Sequence, residues 1–183
     1  LLPRPLLFRR VTLAIERQLR NPRPGAVVGH LGGIEKATEE VRVALAAGFD
    51  TTSHTLAWAL WHLAAEPRWN EREAAPLVVK ETLRLYPEVD GVVHPAGRLV
   101  FYSPWLTHRD PELWRNPSRY DPGRFESRPK AWSYIPFSAG ERICLGMHMA
   151  NLMLHTALAP FAGGRLRAVS GDITPRTGLT LSP

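Results

Sequence analysis

The stretch Phe137-Ser138-Ala139-Gly140-Glu141-Arg142-Ile143-Cys144-Leu145-Gly146 holds the single cysteine of a 183-residue chain. A lone cysteine forms neither an internal disulfide nor a multi-cysteine zinc site. Three roles remain: an inert core residue, a nucleophile, or a single thiolate ligand to a metal cofactor. Gly140 permits a tight backbone turn, and Gly146 permits a helix to approach a flat group closely. From residue 145 to 158 the chain is largely apolar, with no proline before Pro160, which predicts a helix with Cys144 at its amino end. Free backbone N–H groups and the helix dipole stabilise a thiolate at such a place. Arg142 can hold a carboxylate through a charge-assisted pair, and Phe137 can wall the site from water.

Phe137, Gly140, Arg142, Cys144 and Gly146 fill the five specified positions of F-x-x-G-x-R-x-C-x-G. The run resembles the cysteine-ligand loop of the cytochrome P-450 haem-thiolate monooxygenases. That resemblance implies haem b bound through the Cys144 thiolate, with Arg142 on a haem propionate. A thiolate ligand pushes electron density into the iron and favours O–O cleavage. A buried, chemically idle cysteine is the plainer alternative for this residue taken alone.

Further motifs follow the order of the same family. Ala47-Gly48-Phe49-Asp50-Thr51-Thr52 lies within an apolar run over 41–65, free of proline until Pro67, which predicts a long central helix. Glycine inside a helix costs about 1 kcal/mol relative to alanine. Beside threonines it permits a local kink or opening. The resemblance implies that Gly48 borders the haem and that Asp50 and Thr51 relay protons; a structural helix with a tolerated glycine is the alternative. In Lys80-Glu81-Thr82-Leu83-Arg84-Leu85-Tyr86-Pro87, Glu81 and Arg84 share one face of a helix that stops at Pro87. A pair at this spacing alone suits a solvated surface. Asp121-Pro122-Gly123-Arg124-Phe125 is a turn with another arginine, and the resemblance implies a buried structural triad of Glu81, Arg84 and Arg124. His108-Arg109-Asp110-Pro111, followed by Trp114, resembles the family's segment between its last strand and the meander. The seven histidines show no zinc spacing with the cysteine.

Hydrophobic content of 44% and charged content of 22% suit a soluble globular domain. No apolar run suffices to span a bilayer, and Leu1-Leu2-Pro3-Arg4 is no signal peptide, so the expectation is a cytoplasmic chain with Cys144 reduced. The net charge of +6 comes from 20 scattered arginines and three lysines, with no nucleic-acid motif, which argues against a nucleic-acid partner. A basic face near the cysteine would steer an acidic electron donor, as the resemblance implies. An amphipathic opening helix over 7–19 is set off by Asn21-Pro-Arg-Pro-Gly25.

The resemblance covers about residues 35–180 and corresponds to the family's carboxyl-terminal part. Roughly ten residues separate the central helix from the one bearing Glu81; they reach at most about 35 Å and leave no room for a further helix of useful length. Residues 87–95 read as a short loop, and the resemblance implies His94 as a candidate partner for a haem propionate. The expected fold is mainly α with a small β-sheet, a truncated cytochrome P-450-like haem lobe. Residues 1–34 form a helical remnant and linker, and 35–183 the haem-thiolate-binding lobe. Strands are expected within 92–107 and a hairpin within 165–181. The implied activity is dioxygen activation with insertion of one oxygen atom into a small hydrophobic organic substrate. The chain has no G-x-G-x-x-G fingerprint, so electrons would come from NAD(P)H through a ferredoxin or flavoprotein reductase. Two alternatives stand beside this: a degenerate or minimised fragment that binds haem without turnover, and a peroxidase-like haem protein.

Overall fold

Helix-forming residues start the long helix well before its apolar run begins. In the computed structural model, which describes residues 4–21, 33–88, 91–93, 98–167, 173–177 and 181–182, helix α2 spans Ile34–Ala65. Glu35, Lys36, Ala37, Glu39 and Glu40 favour the helical state, and Glu35 complements the amino-terminal dipole. This adds residues 34–40 to the helix expected over 41–65. Helical structure continues without a break through Gly48. Helix α1, Arg4–Leu19, precedes it; linker residues 22–25 and His94 lie outside the described residues.

The chain divides into two compact units, Leu1–Phe49 and Asp50–Pro183. Within the first, Ile15 and Ala37 are buried, Arg42 lies 4.8 Å from the Phe8 ring centre, and its Nη1 donates to Thr12 Oγ1 at 3.3 Å.

The second unit is built around α3, Ala75–Leu85, which ends at Tyr86 because Pro87 cannot continue it. Val78, Val79 and Leu83 of α3 pack with Ala59 and Leu63 of α2 and with Leu154 and Leu158 of α5, Met147–Leu158. Each such buried valine or leucine contributes about 1.5–3 kcal/mol. Asn70 closes this core from the side: its Nδ2 donates to Gly164 O at 2.6 Å, and its carbonyl accepts from Gly163 N at 2.8 Å. Aromatic rings fill the rest. Trp58 stacks on Tyr86 at 3.9 Å and His62 on Tyr120 at 3.7 Å, with His62 Nε2 3.0 Å from Tyr86 Oη. Burial pushes His62 down to about 4, so its ring is neutral at pH 7.

Sheet structure is slight. Strands β1, Gly91–Val93, and β2, Val100–Tyr102, pair antiparallel with Gly91 opposite Tyr102 and Val93 opposite Val100. The stretch read as a loop over 87–95 therefore contains a strand. Within 92–107, where strands are expected, β2 and most of β1 are strand, whereas Pro104–Thr107 is a helical turn, α4. Ser103 caps it, its Oγ accepting from Leu106 N at 3.3 Å, and Pro104 supplies a preset first-turn φ. At the carboxyl end β3, Arg176–Thr177, pairs antiparallel with β4, Leu181–Ser182, within the expected hairpin region.

Candidate functional site

Three charges that spacing alone would assign to a surface are drawn together inside the molecule. Glu81 and Arg84 are both 0% exposed. Arg84 Nε donates to Glu81 Oε2 at 2.7 Å and its Nη2 to Oε1 at 2.8 Å, a two-pronged pair. Glu81 Oε1 also accepts from Arg124 Nε at 3.1 Å and from Asp121 N at 2.8 Å. Arg84 directs its other donors to carbonyls: Nη1 to His108 and Pro117 at 2.6 and 2.8 Å, and Nη2 to Arg119 at 3.2 Å. All five guanidinium N–H donors are thus used. Arg124 donates to Arg115 O and Arg119 O at 3.0 and 3.1 Å. The triad ties α3 to the irregular segment 108–124 through backbone groups that no sequence pattern reveals.

From that anchor the chain passes to the cysteine loop. His108 is fully buried and reaches Ile135 N at 2.9 Å. Beyond Ile135, Ser138 and Gly140 take left-handed conformations, φ 65° and 66°; Gly140 adopts its value without the strain a side chain would bring. Among the described residues no atom lies within 4 Å of where a Gly140 Cβ would stand, so backbone conformation, not crowding, accounts for this glycine. Tyr102 Oη lies 2.5 Å from Ser138 Oγ, and Cys144 N donates to Phe137 O at 2.8 Å, closing the loop on itself. Phe137 packs against the Ala59–Leu63–Val78 core and so connects the loop to α2 and α3.

Cys144 itself is exposed, as are Arg142 and Gly146. It precedes α5 instead of opening it, because Gly146 occupies the cap position and the helix starts at Met147. A Cβ on Gly146 would sit 3.9 Å from Cys144 Sγ, in ordinary contact, so glycine leaves one side of the sulfur bare. Leu145 is 101% exposed, and Ile143, Met149, Leu152 and Met153 also present apolar surface. Among the described residues the Arg142 guanidinium has no hydrogen bond or ion pair.

On α2, Asp50 is exposed and Thr51 is half-buried; the Thr51 carbonyl accepts from Thr55 Oγ1 at 2.9 Å. Glu88 Oε1 stands 3.2 Å from the same hydroxyl, as an alternative acceptor for its one hydrogen. Among the described residues nothing lies within 4 Å of where a Gly48 Cβ would stand, so none of them requires a glycine there. His108 was missed as a site residue by sequence reasoning, although its His-Arg-Asp-Pro segment stood out; nothing in the pattern announces which backbone groups its ring meets.

These groups fit a haem. An exposed thiol on a closed loop, a free cation two residues away, and exposed apolar neighbours offer the sulfur ligand, the carboxylate partner and the oily contact surface that an iron porphyrin requires. Among the described residues no three His, Cys, Asp or Glu side chains gather to hold a bare metal ion. Among them, too, no helix is long and apolar enough to cross a membrane.

The comparisons with known proteins agree with one another. The sequence model of the family described as Cytochrome P450 matches residues 33–74 and 69–161, more than half of the chain. Cytochrome P450 3A40 of Oryzias latipes is 33% identical over 152 residues, covering 61% of this chain and 30% of that protein. Ferruginol synthase of Salvia fruticosa is 30% identical over 154 residues, covering 61% and 31%. Among solved structures, CYP175A1 from Thermus thermophillus superposes with a TM-score of 0.74 at 27% identity, covering all of this chain and 52% of that one. The chain therefore spans under a third of these curated relatives and about half of this solved structure.

Proposed function

The chain belongs to the cytochrome P450 family, and from that premise we propose that residues 35–183 bind haem b through the Cys144 thiolate and serve as the haem lobe of a monooxygenase. The observation that carries this reading is the exposed Cys144 thiol, held on a loop that closes through the Cys144 N–H to Phe137 O bond at 2.8 Å. When bound, haem supplies the electron-accepting and dioxygen-binding chemistry. The chain's own residues hold and tune it. Cys144 presents its sulfur beside the bare face that Gly146 leaves. Arg142 offers a guanidinium to a propionate, and Phe137, packed on the core, keeps water from the loop's inner side. On α2 the exposed Asp50 carboxylate takes a proton from solvent and the Thr51 hydroxyl hands it inward. Oxygen goes into a small hydrophobic organic substrate. Electrons arrive from NAD(P)H through a ferredoxin or a flavoprotein reductase drawn to the basic surface.

The exposure of Phe49, at 73%, and of Asp50 favours a second reading: haem bound without coupled turnover. One spectrum tests ligation. The reduced, haem-loaded protein under carbon monoxide should show the strongly red-shifted Soret band of a thiolate ligand, and Cys144→Ser should abolish it. Haem uptake without that band sinks thiolate ligation. Turnover is tested separately: Thr51→Ala should release peroxide in place of product, and unchanged coupling would remove Thr51 from the proton path.

A further inference from the structure

His108 does more than fill the core. Its ring is fully buried, stacked on Tyr134 at 5.4 Å and edge-on to Trp114 at 6.4 Å, and both ring nitrogens are engaged. Ile135 N lies 2.9 Å from Nε2, and a backbone N–H can only donate, so Nε2 is the acceptor. Arg84 O lies 3.0 Å from Nδ1, and a carbonyl can only accept, so Nδ1 carries the hydrogen. One neutral tautomer satisfies both bonds. The exchange with Arg84 is reciprocal, since Arg84 Nη1 donates back to His108 O at 2.6 Å.

These bonds form a continuous path. Glu81 fixes the Arg84 guanidinium, the Arg84 backbone fixes the His108 ring, and the ring fixes Ile135. Two residues on, Phe137 O receives the Cys144 N–H. We propose that His108 is a positioning residue for the cysteine loop: as a neutral two-sided bridge it transfers the rigidity of the Glu81–Arg84–Arg124 network to the backbone that carries Cys144. The placement of the loop follows from the bonds themselves; its consequence for an axial ligand rests on the function proposed above. Burial lowers His108 to about 4 and two cations, Arg84 and Arg109, face it, which keeps the bridge in its neutral form at pH 7.

The two bonds can be separated by two substitutions. In His108→Asn the side-chain amide N–H takes the place of Nδ1 and keeps the bond to Arg84 O, but the bond to Ile135 is lost. In His108→Gln the longer side chain brings its amide oxygen to the position of Nε2 and keeps Ile135 instead. Amide hydrogen exchange on the full chain without haem reads the outcome, with Val78 and Val79 amides as the measure of global stability. Relative to those amides, His108→Asn should speed exchange at Ile135 and Cys144 by about tenfold or more, and His108→Gln should leave both within about threefold of the parent, as expected for loss or retention of one buried bond. Equal effects of the two variants after this correction would reduce His108 to a packing role and overturn the proposal. If His108→Asn fails to fold, the parent alone decides. Ile135 and Cys144 should exchange within about tenfold of each other, in one opening event. A Cys144 amide about a hundredfold faster than Ile135 would show that nothing is transmitted to the loop. The carbonmonoxy spectrum of the haem-loaded variants is a separate reading. A fall in its thiolate fraction in His108→Asn alone ties loop position to ligation; an unchanged spectrum beside changed exchange leaves the bridge intact and denies it a role at the metal.

Discussion

At Glu81 and Arg84 every charged atom is buried and bonded, whereas from Arg142 to Gly146, close in chain to the segment that this same network holds, the residues stand in the open. The first region is complete within the protein: five guanidinium donors meet five acceptors. The second offers an unpaired cation, a thiol and a run of apolar side chains, none of which the described protein surface satisfies. The difference separates what the chain needs in order to fold from what it presents to something else. Substitutions in the first region should therefore cost stability, and those in the second should cost binding.

The largest expected effect comes from breaking the buried network. Arg84→Met takes the two-pronged partner from the buried Glu81 carboxylate, leaving it only Arg124 Nε and Asp121 N, and should cost about 3–5 kcal/mol, read as a lower urea midpoint or outright unfolding. Removing both charges, as in Glu81→Leu with Arg84→Met, should recover part of that. Recovery of nothing would mean that the carbonyls of His108, Pro117 and Arg119 depend on Arg84 more than Glu81 does. Second in size, counted per residue, is the response to acid. His62 and His108 are both held near 4 when folded, against 6.5 in a free chain. Between these values the unfolded chain binds protons that the folded chain refuses, so stability is full above pH 6.5 and falls as pH drops toward 4. The loss should be on the order of 2–3 kcal/mol for each histidine. Urea midpoints at about pH 7 and about pH 4.5 measure it, and His62→Gln should flatten part of the slope. A midpoint that does not move over this range would contradict the burial of both rings. The smallest effect lies outside both regions, on α2. Gly48→Ala places a methyl in open space on a regular helix and should raise stability by about 1 kcal/mol while weakening haem uptake. Stability gained with haem affinity unchanged would make Gly48 a tolerated helix residue and nothing more.

Much of this arrangement was legible before any coordinates. The Cys144 run carries its own turn glycine and cation, and the Glu81–Arg84 spacing fixes a shared helix face. What escaped lies in groups that side-chain patterns do not encode. The start of α2 at Ile34 is set by helix propensity in a charged stretch, which a search for apolar periodicity passes over. Trp105 and Leu106 look like strand residues, yet Ser103 and Pro104 impose a helical turn on them. Cys144 sits outside α5 because Gly146 takes the cap. The three carbonyl acceptors of Arg84 and both partners of His108 are backbone atoms from residues 24 to 35 positions away, whose meeting depends on tertiary packing alone.

Helix α5 has one more consequence. The chain's three methionines, Met147, Met149 and Met153, lie on it, and Cys144 stands just ahead. Every sulfur atom of the protein is therefore gathered into residues 144–153, with the thiol and at least two of the thioethers open to solvent. Any oxidant released there meets the only readily oxidised sulfur in the molecule, and thioether oxidation converts a soft apolar side chain into a polar one. Mass spectrometry of a single peptide would then record the chain's history of leaked oxidant, a chemical logbook kept beside the proposed ligand.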